Sequence, residues 1–102
     1  MMLKPKPATT KAEGETSGGR VNYYLVEVTH PQREDQPAYQ AECEDIIDAL
    51  EMTFDEACIF KELWRTARQR QGVGKAGNTP LRAAQKYVHY AGRILRKAMR
   101  GT

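Results

Sequence analysis

The sequence predicts a mainly α fold: a three-helix domain with a basic helical hairpin, preceded by one short N-terminal β-strand and a disordered, flexible tail. Three observations predict it. Apolar residues recur at helical spacing in three separate runs between residues 43 and 99. Two of those runs open on helix-start signals, "TFDE" at 53–56 and "NTPLRAAQ" at 78–85. A single run, "VNYYLVEV" at 21–28, is β-branched and aromatic.

The elements follow in order. Residues 1–20 lack apolar periodicity and are rich in Lys, Pro, Thr and Gly, as a flexible tail is. The strand at 21–28 needs a partner, either a hairpin within the chain or a strand of another copy. "THPQREDQP" at 29–37 is a polar loop with prolines near both ends. The first helix is expected from about Ala38 to Glu51, with Cys43, Ile46, Ile47 and Leu50 on its core face. The second starts at Thr53, whose capping box is completed by Glu56, and runs to about Gln71. Ala57, Phe60, Leu63, Trp64 and Ala67 form its apolar stripe. The third is capped by Thr79, has Pro80 in its first position, and runs to about Met99. Leu81, Ala84, Val88, Ala91, Leu95 and Ala98 line its expected buried face. "GVGKAGN" at 72–78 is short enough to force an antiparallel return.

A chain of 102 residues, 40% hydrophobic, supports one domain, taken as residues 21–102. There is no apolar run of the ~18 residues that span a bilayer, and no apolar stretch after the N-terminal lysines to make a secretory signal. A soluble protein of the cytoplasm, without a membrane partner, is expected. Cys43 and Cys58 lack metal-ligand spacing and read as reduced, buried hydrophobes. The net charge of +3 conceals a polarised chain. Residues 27–56 carry ten acids against one base, Arg33, whereas residues 57–102 carry eleven bases against one acid, Glu62. That asymmetry suits an anionic ligand on the basic part, or head-to-tail pairing between copies in a homo-oligomer.

Lys61, Arg65 and Arg68 make one basic stripe on the second helix, and Arg82, Lys86, His89 and Arg93 make another on the third. A hairpin brings the stripes together with Lys75 at its tip, and the N–H groups at the start of the third helix add positive potential. Tyr39 is a candidate to stack on a base. Glu42 and Asp45, at i, i+3, could hold a magnesium ion or a sugar hydroxyl beside a phosphate, although a solvated acidic face is the commoner use of such a pair. No dedicated metal cluster is expected. "GVGKAGN" is not a Walker loop, since the GxxxxGK[ST] spacing and the preceding strand are absent. His30 and His89 have no Ser or Cys partner at an interpretable position, so no catalytic residue is assigned.

The order of motifs carries a resemblance. His30 and Tyr39 are followed by an E-C-x-D-I-I-x-A run (Glu42, Cys43, Asp45, Ile46, Ile47, Ala49). Then come F-K-x-x-W-R (Phe60, Lys61, Trp64, Arg65) and, in the last helix, Lys86 and Tyr90. In this order residues 30–95 resemble small phage proteins of a nucleotide-kinase-like family. The resemblance implies a helical, phage-encoded, oligomeric protein of the host cytoplasm that handles nucleotides without a P-loop, with Mg2+ if it is kinase-like. Ala83 departs from the family, many of whose members have an acid there. The site expected is Tyr39, Lys61, Arg65, Arg68, Lys75, Arg82 and Lys86, with Glu42 and Asp45 as acidic partners. The alternative is a phage accessory or anti-defence protein that binds a host protein, a signalling nucleotide or nucleic acid without catalysis.

Overall fold

The computed structural model describes residues 22–74 and 77–101. The expected tail at 1–20 and Lys75 lie outside the described residues. A 3-10 turn at Asn22–Tyr24 leads into β1 (Leu25–Val28), which pairs antiparallel with β2 (Tyr39–Glu42). Three helices follow: α1 (Cys43–Leu50), α2 (Phe54–Arg70) and α3 (Pro80–Gly101). No helix among the described residues is long and apolar enough to cross a membrane.

Two boundaries are corrected. Residues 22–24, expected within the strand, form the 3-10 turn, so β1 begins only at Leu25. Residues 39–42, expected as the start of the first helix, form the second strand. Tyr39 sits opposite Val28 and Glu42 opposite Leu25, so β1 finds its partner within the chain through the 29–38 loop. The backbone of β1 demands hydrogen bonds, and the segment before α1 supplies them at the expense of about one helical turn. Glu42 ends the strand and caps α1: its Oε1 accepts the Asp45 N–H at 2.9 Å. α1 closes on Glu51, which takes the left-handed conformation (φ 55°), with Glu51 N–H on the Asp48 carbonyl and Met52 N–H on that of Ile47.

α2 begins as its sequence foretold. Thr53 Oγ1 accepts the Glu56 N–H at 3.3 Å, and Glu56 Oε1 accepts the Thr53 N–H at 3.0 Å. Thr53→Ala is expected to cost about 1 kcal/mol, lowering the Tm by roughly 5 °C, while Thr53→Ser keeps it; thermal melts followed by circular dichroism check both. The hairpin loop leaves α2 through Gly72, at φ 89°, a conformation glycine adopts without penalty. α3 is capped by Thr79, whose Oγ1 accepts the Arg82 N–H at 3.1 Å.

The interior departs from expectation. Cys43 and Ala83 are buried apolar residues, but the bulkiest fully buried side chains include Glu62 and Asp55, at 2% and 1% exposure. Both lie on the α2 face turned toward α3, seven residues apart. Asp55 accepts from Arg93 Nε at 2.6 Å and Lys97 Nζ at 2.7 Å. α3 therefore turns cations inward, and its apolar stripe turns out: Leu81, Ala84, Val88, Ala91, Leu95 and Ala98, expected as the buried face, are all exposed. The reason is electrostatic. A buried carboxylate without a cation costs more than an exposed aliphatic side chain gains by burial.

Apolar packing is concentrated on the other side of α2. Phe60 and Trp64 meet edge to face, and Trp64 Nε1 donates to the Tyr23 carbonyl at 2.7 Å, tying the 3-10 turn to the helix. Ile46 and Ile47 are half-buried in α1, whereas Leu50 and Leu63, both expected in the core, are exposed.

Candidate functional site

A cleft of about 230 Å³ opens where α2, the hairpin loop and α3 meet. Arg65 and Gln69 project from the C-terminal half of α2, Arg82 and Lys86 from the first turns of α3. Gly74, Gly77 and Asn78 come from the loop, and Tyr23 from the 3-10 turn. The antiparallel return is what brings Arg65 and Lys86 together, since 21 positions separate them in sequence.

Glu62 connects two of these cations, Arg65 and Lys86. Its Oε1 accepts from Arg65 Nη2 at 2.5 Å and from Lys86 Nζ at 3.5 Å, and its Oε2 accepts from Asn78 Nδ2 at 3.3 Å. Gln69 Nε2 in turn donates to the Asn78 carbonyl at 2.9 Å, fixing the loop residue. Burial opposes the charged form of Glu62, but the Arg65 hydrogen bond and charge outweigh it, with Lys86 and Asn78 adding, and the carboxyl is held below its ordinary value. Arg65 is likewise partly desolvated, and Glu62 more than compensates, raising its pKa. Arg65 Nε is buried and has no hydrogen-bond partner among the described residues. Arg82 makes no ion pair among them. Glu62 thus engages two cations, Arg65 and Lys86, while Arg82 lines the same cleft outside that cluster, so the charge facing the cleft is net positive.

Arg82 and Lys86 also border an adjoining open depression of about 330 Å³, with Gln85, His89 and Tyr90. His89 and Tyr90 meet edge to face there, with ring centroids 4.8 Å apart. The two hollows share the same pair of cations, so a cationic lobe continues into an aromatic one along α3.

Of the residues expected to bind phosphate, Arg65, Arg82 and Lys86 converge. Lys61 lies elsewhere, 3.9 Å from Glu44 and over the ring of Tyr24. Arg68 Nη1 donates to Gln71 at 2.7 Å and does not line the cleft. Tyr39 is on β2, outside both hollows. Glu42 and Asp45 start α1, where Glu42 Oε1 accepts the Asp45 N–H, and neither lines the two hollows. Among the described residues no group of three or more His, Cys, Asp and Glu is placed to hold a metal ion. The α3 start offers few donors, since Pro80 has no N–H, Arg82 N–H goes to Thr79 Oγ1 and Ala83 N–H to the Thr79 carbonyl. The two cysteines are free. Cys43 is pushed up to about 11 by burial and by the nearby Glu42 charge, which leaves an unreactive thiol.

Sequence reasoning missed Glu62, Gln69, Asn78 and Tyr23. For Glu62 a signal existed: it is the lone acid among eleven bases, three residues before Arg65 and seven after Asp55. No protein-family model, no curated protein and no solved structure matches the chain.

Proposed function

We propose that the protein binds a small phosphorylated ligand of the nucleotide class, with the phosphate in the cationic lobe and the nucleoside along the aromatic one. The observation that carries this reading is the convergence of Arg65, Arg82 and Lys86 over a buried carboxylate that holds two of them in place. Guanidinium groups bind phosphate oxygens in pairs, and preorganised cations lose little entropy on binding. The cationic lobe is below the ~300–1,000 Å³ of a typical ligand pocket and suits a phosphoryl end. The neighbouring His89 and Tyr90 offer rings for a base.

The resemblance of residues 30–95 to phage nucleotide-kinase-like proteins favours a nucleotide over other phosphates. The cleft supplies cations and amide groups, and its carboxylate is already engaged, which favours holding the ligand over transferring its phosphoryl group. Capture of a signalling nucleotide without turnover, the accessory or anti-defence role in a phage-infected cytoplasm, uses the same chemistry.

Titration calorimetry with nucleoside monophosphates, the matching nucleosides, inorganic phosphate and a short single-stranded DNA tests the reading. A nucleoside monophosphate is expected to bind at moderate salt, and its nucleoside is not. Arg82→Ala is expected to weaken binding about 10-fold or more, the worth of one charge-assisted hydrogen bond, and to leave the Tm unchanged because Arg82 lies outside the Glu62 cluster. Equal binding of nucleoside and nucleotide, or an Arg82→Ala variant with full affinity, overturns the proposal. Binding of DNA alone, lost steeply as salt rises, replaces it with a backbone-tracking role.

A further inference from the structure

The outward face of α3 has an order that exposure alone does not explain. Leu81, Ala84, Val88, Ala91, Leu95 and Ala98 are spaced alternately three and four residues apart, the a and d positions of a coiled-coil seam. On a straight helix such a stripe drifts by about 20° per heptad, so over the roughly two and a half heptads from Leu81 to Ala98 a second helix can follow its whole length. The large members of the stripe face solvent, Leu81 at 67% exposure, Val88 at 72% and Leu95 at 59%.

We infer that this stripe is the interface of an antiparallel homodimer, formed by α3 of two copies crossing at a two-fold axis between His89 and Tyr90.

The stripe is self-complementary only in that arrangement. Its a positions are Leu, Val, Leu and its d positions are Ala, Ala, Ala. Antiparallel pairing about the stated axis sets Val88 against Ala91 of the second copy, Leu95 against Ala84, and Leu81 against Ala98. Every layer then holds one large and one small side chain, so layer volumes match along the seam. Parallel pairing would instead alternate layers of two large side chains with layers of two alanines, leaving a cavity at each alanine layer. The uniform pairing also lets the helix backbones approach closely at each alanine. A closed two-fold interface is the commonest solution for a self-complementary surface.

Charge points to the same occupant. α3 contains six Lys and Arg residues and no acid. Two such helices would repel if their charges flanked the seam, yet the flanking e and g positions are uncharged: Gln85, Gly92 and Met99 on one side, Tyr87 and Ile94 on the other. The cations are held away at the b, c and f positions, and Lys86, Arg93 and Lys97 are paired with Glu62 and Asp55 of their own chain. A different partner would ordinarily be selected by charged flanks, which this seam lacks. From Leu81 to Ala98 the seam is roughly 26 Å long, which puts the interface near the lower limit of about 1,000 Å² for a specific complex.

Sedimentation velocity from low to high micromolar protein is the first measurement. A monomer–dimer equilibrium is expected, with Val88→Glu monomeric throughout and its helical circular dichroism retained. Orientation is read by disulfide trapping at equal concentrations, with the unsubstituted chain as background. A mixture of Val88→Cys and Ala91→Cys chains is expected to cross-link across the shared layer. Leu81→Cys alone is not, because its two copies would stand roughly 25 Å apart. A chain that stays monomeric overturns the inference, as does a Val88→Glu variant that still dimerises, or ready self-cross-linking of Leu81→Cys. A chain that is monomeric alone and associates only with another protein overturns it as well.

Discussion

Replacing Arg65 and Lys86 together by methionine is expected to destabilise the fold by about 2–3 kcal/mol at neutral pH, the largest effect of any pair of substitutions on the cleft. The reason lies in unequal burial. Glu62 is at 2% exposure, while its cations are partly open to water. Losing the carboxylate frees two side chains that can turn outward, whereas losing both cations strands a charge inside with only Asn78 to bond it. A fully buried pair broken in this way costs ~3–5 kcal/mol, and the solvent access of the cations reduces the figure here. The stranded carboxyl should respond by taking up a proton. Its folded pKa is then raised, so the stability deficit is largest at pH 7 and shrinks as pH falls toward about 4. Adding Glu62→Met to the double variant should recover most of the loss, because an apolar trio of similar size needs no compensation. Urea unfolding of the three proteins at pH 7 and pH 4.5 checks the claim. A double variant as stable as the parent at pH 7 would mean that Glu62 is not sequestered between the helices.

The second large effect is acid unfolding. Both buried carboxyls are held below their ordinary values, Asp55 by hydrogen bonds from Lys97 and then Arg93, and Glu62 by Arg65 and Lys86 against the pull of burial. A depressed folded pKa gives stability that is complete above about pH 5 and is lost as pH falls through the ordinary carboxyl range near 4 and below it. Protonation removes both anions from between the helices while four cations stay charged around them, so attraction is exchanged for repulsion. The Tm is expected to fall by roughly 10 °C or more between pH 6 and pH 3. A chain with Asp55→Asn and Glu62→Gln should start lower and show a much flatter profile over the same range. Equal acid sensitivity in the two chains would assign the loss to the exposed carboxylates of residues 27–51 instead.

What the sequence made legible was local. The caps at Thr53 and Thr79, the extent of α2 and α3, and the hairpin between them follow from side chains that act within a few residues of their own backbone. Residues 39–42 were not legible as a strand. "YQAE" has little β preference, and the acids and isoleucines after it continue a helical pattern. The segment is extended because β1 needs a partner, which is a demand from elsewhere in the chain. The facing of α3 was illegible for a different reason. The rule that apolar faces turn inward assumes an apolar surface opposite, and α2 presents Asp55 and Glu62. Matching seven-residue intervals on the two helices, 55 to 62 and 86 to 93, were the available signal. In the candidate site the same limit applies. Arg65, Arg82 and Lys86 could be read as stripes, but the selection of these three over Lys61 and Arg68 depends on how the hairpin closes.

Those matched intervals also govern which length changes the chain can absorb. Asp55 meets Arg93 and Glu62 meets Lys86, two contacts equally spaced on antiparallel rods. Adding a residue between positions 74 and 77, ahead of Asn78, lengthens a connector, and doubling its length costs about 0.6 kcal/mol. Adding one between Lys86 and Arg93 rotates half of α3 by about 100° relative to the other half, so that whichever ion pair forms, the other is turned away. The hairpin behaves as a vernier: tolerant of insertions and deletions in its turn, intolerant of them in its arms. The one segment free to change length is therefore the one that borders the cleft, so an insertion there reshapes the cleft wall while both ion pairs between the helices stay in register.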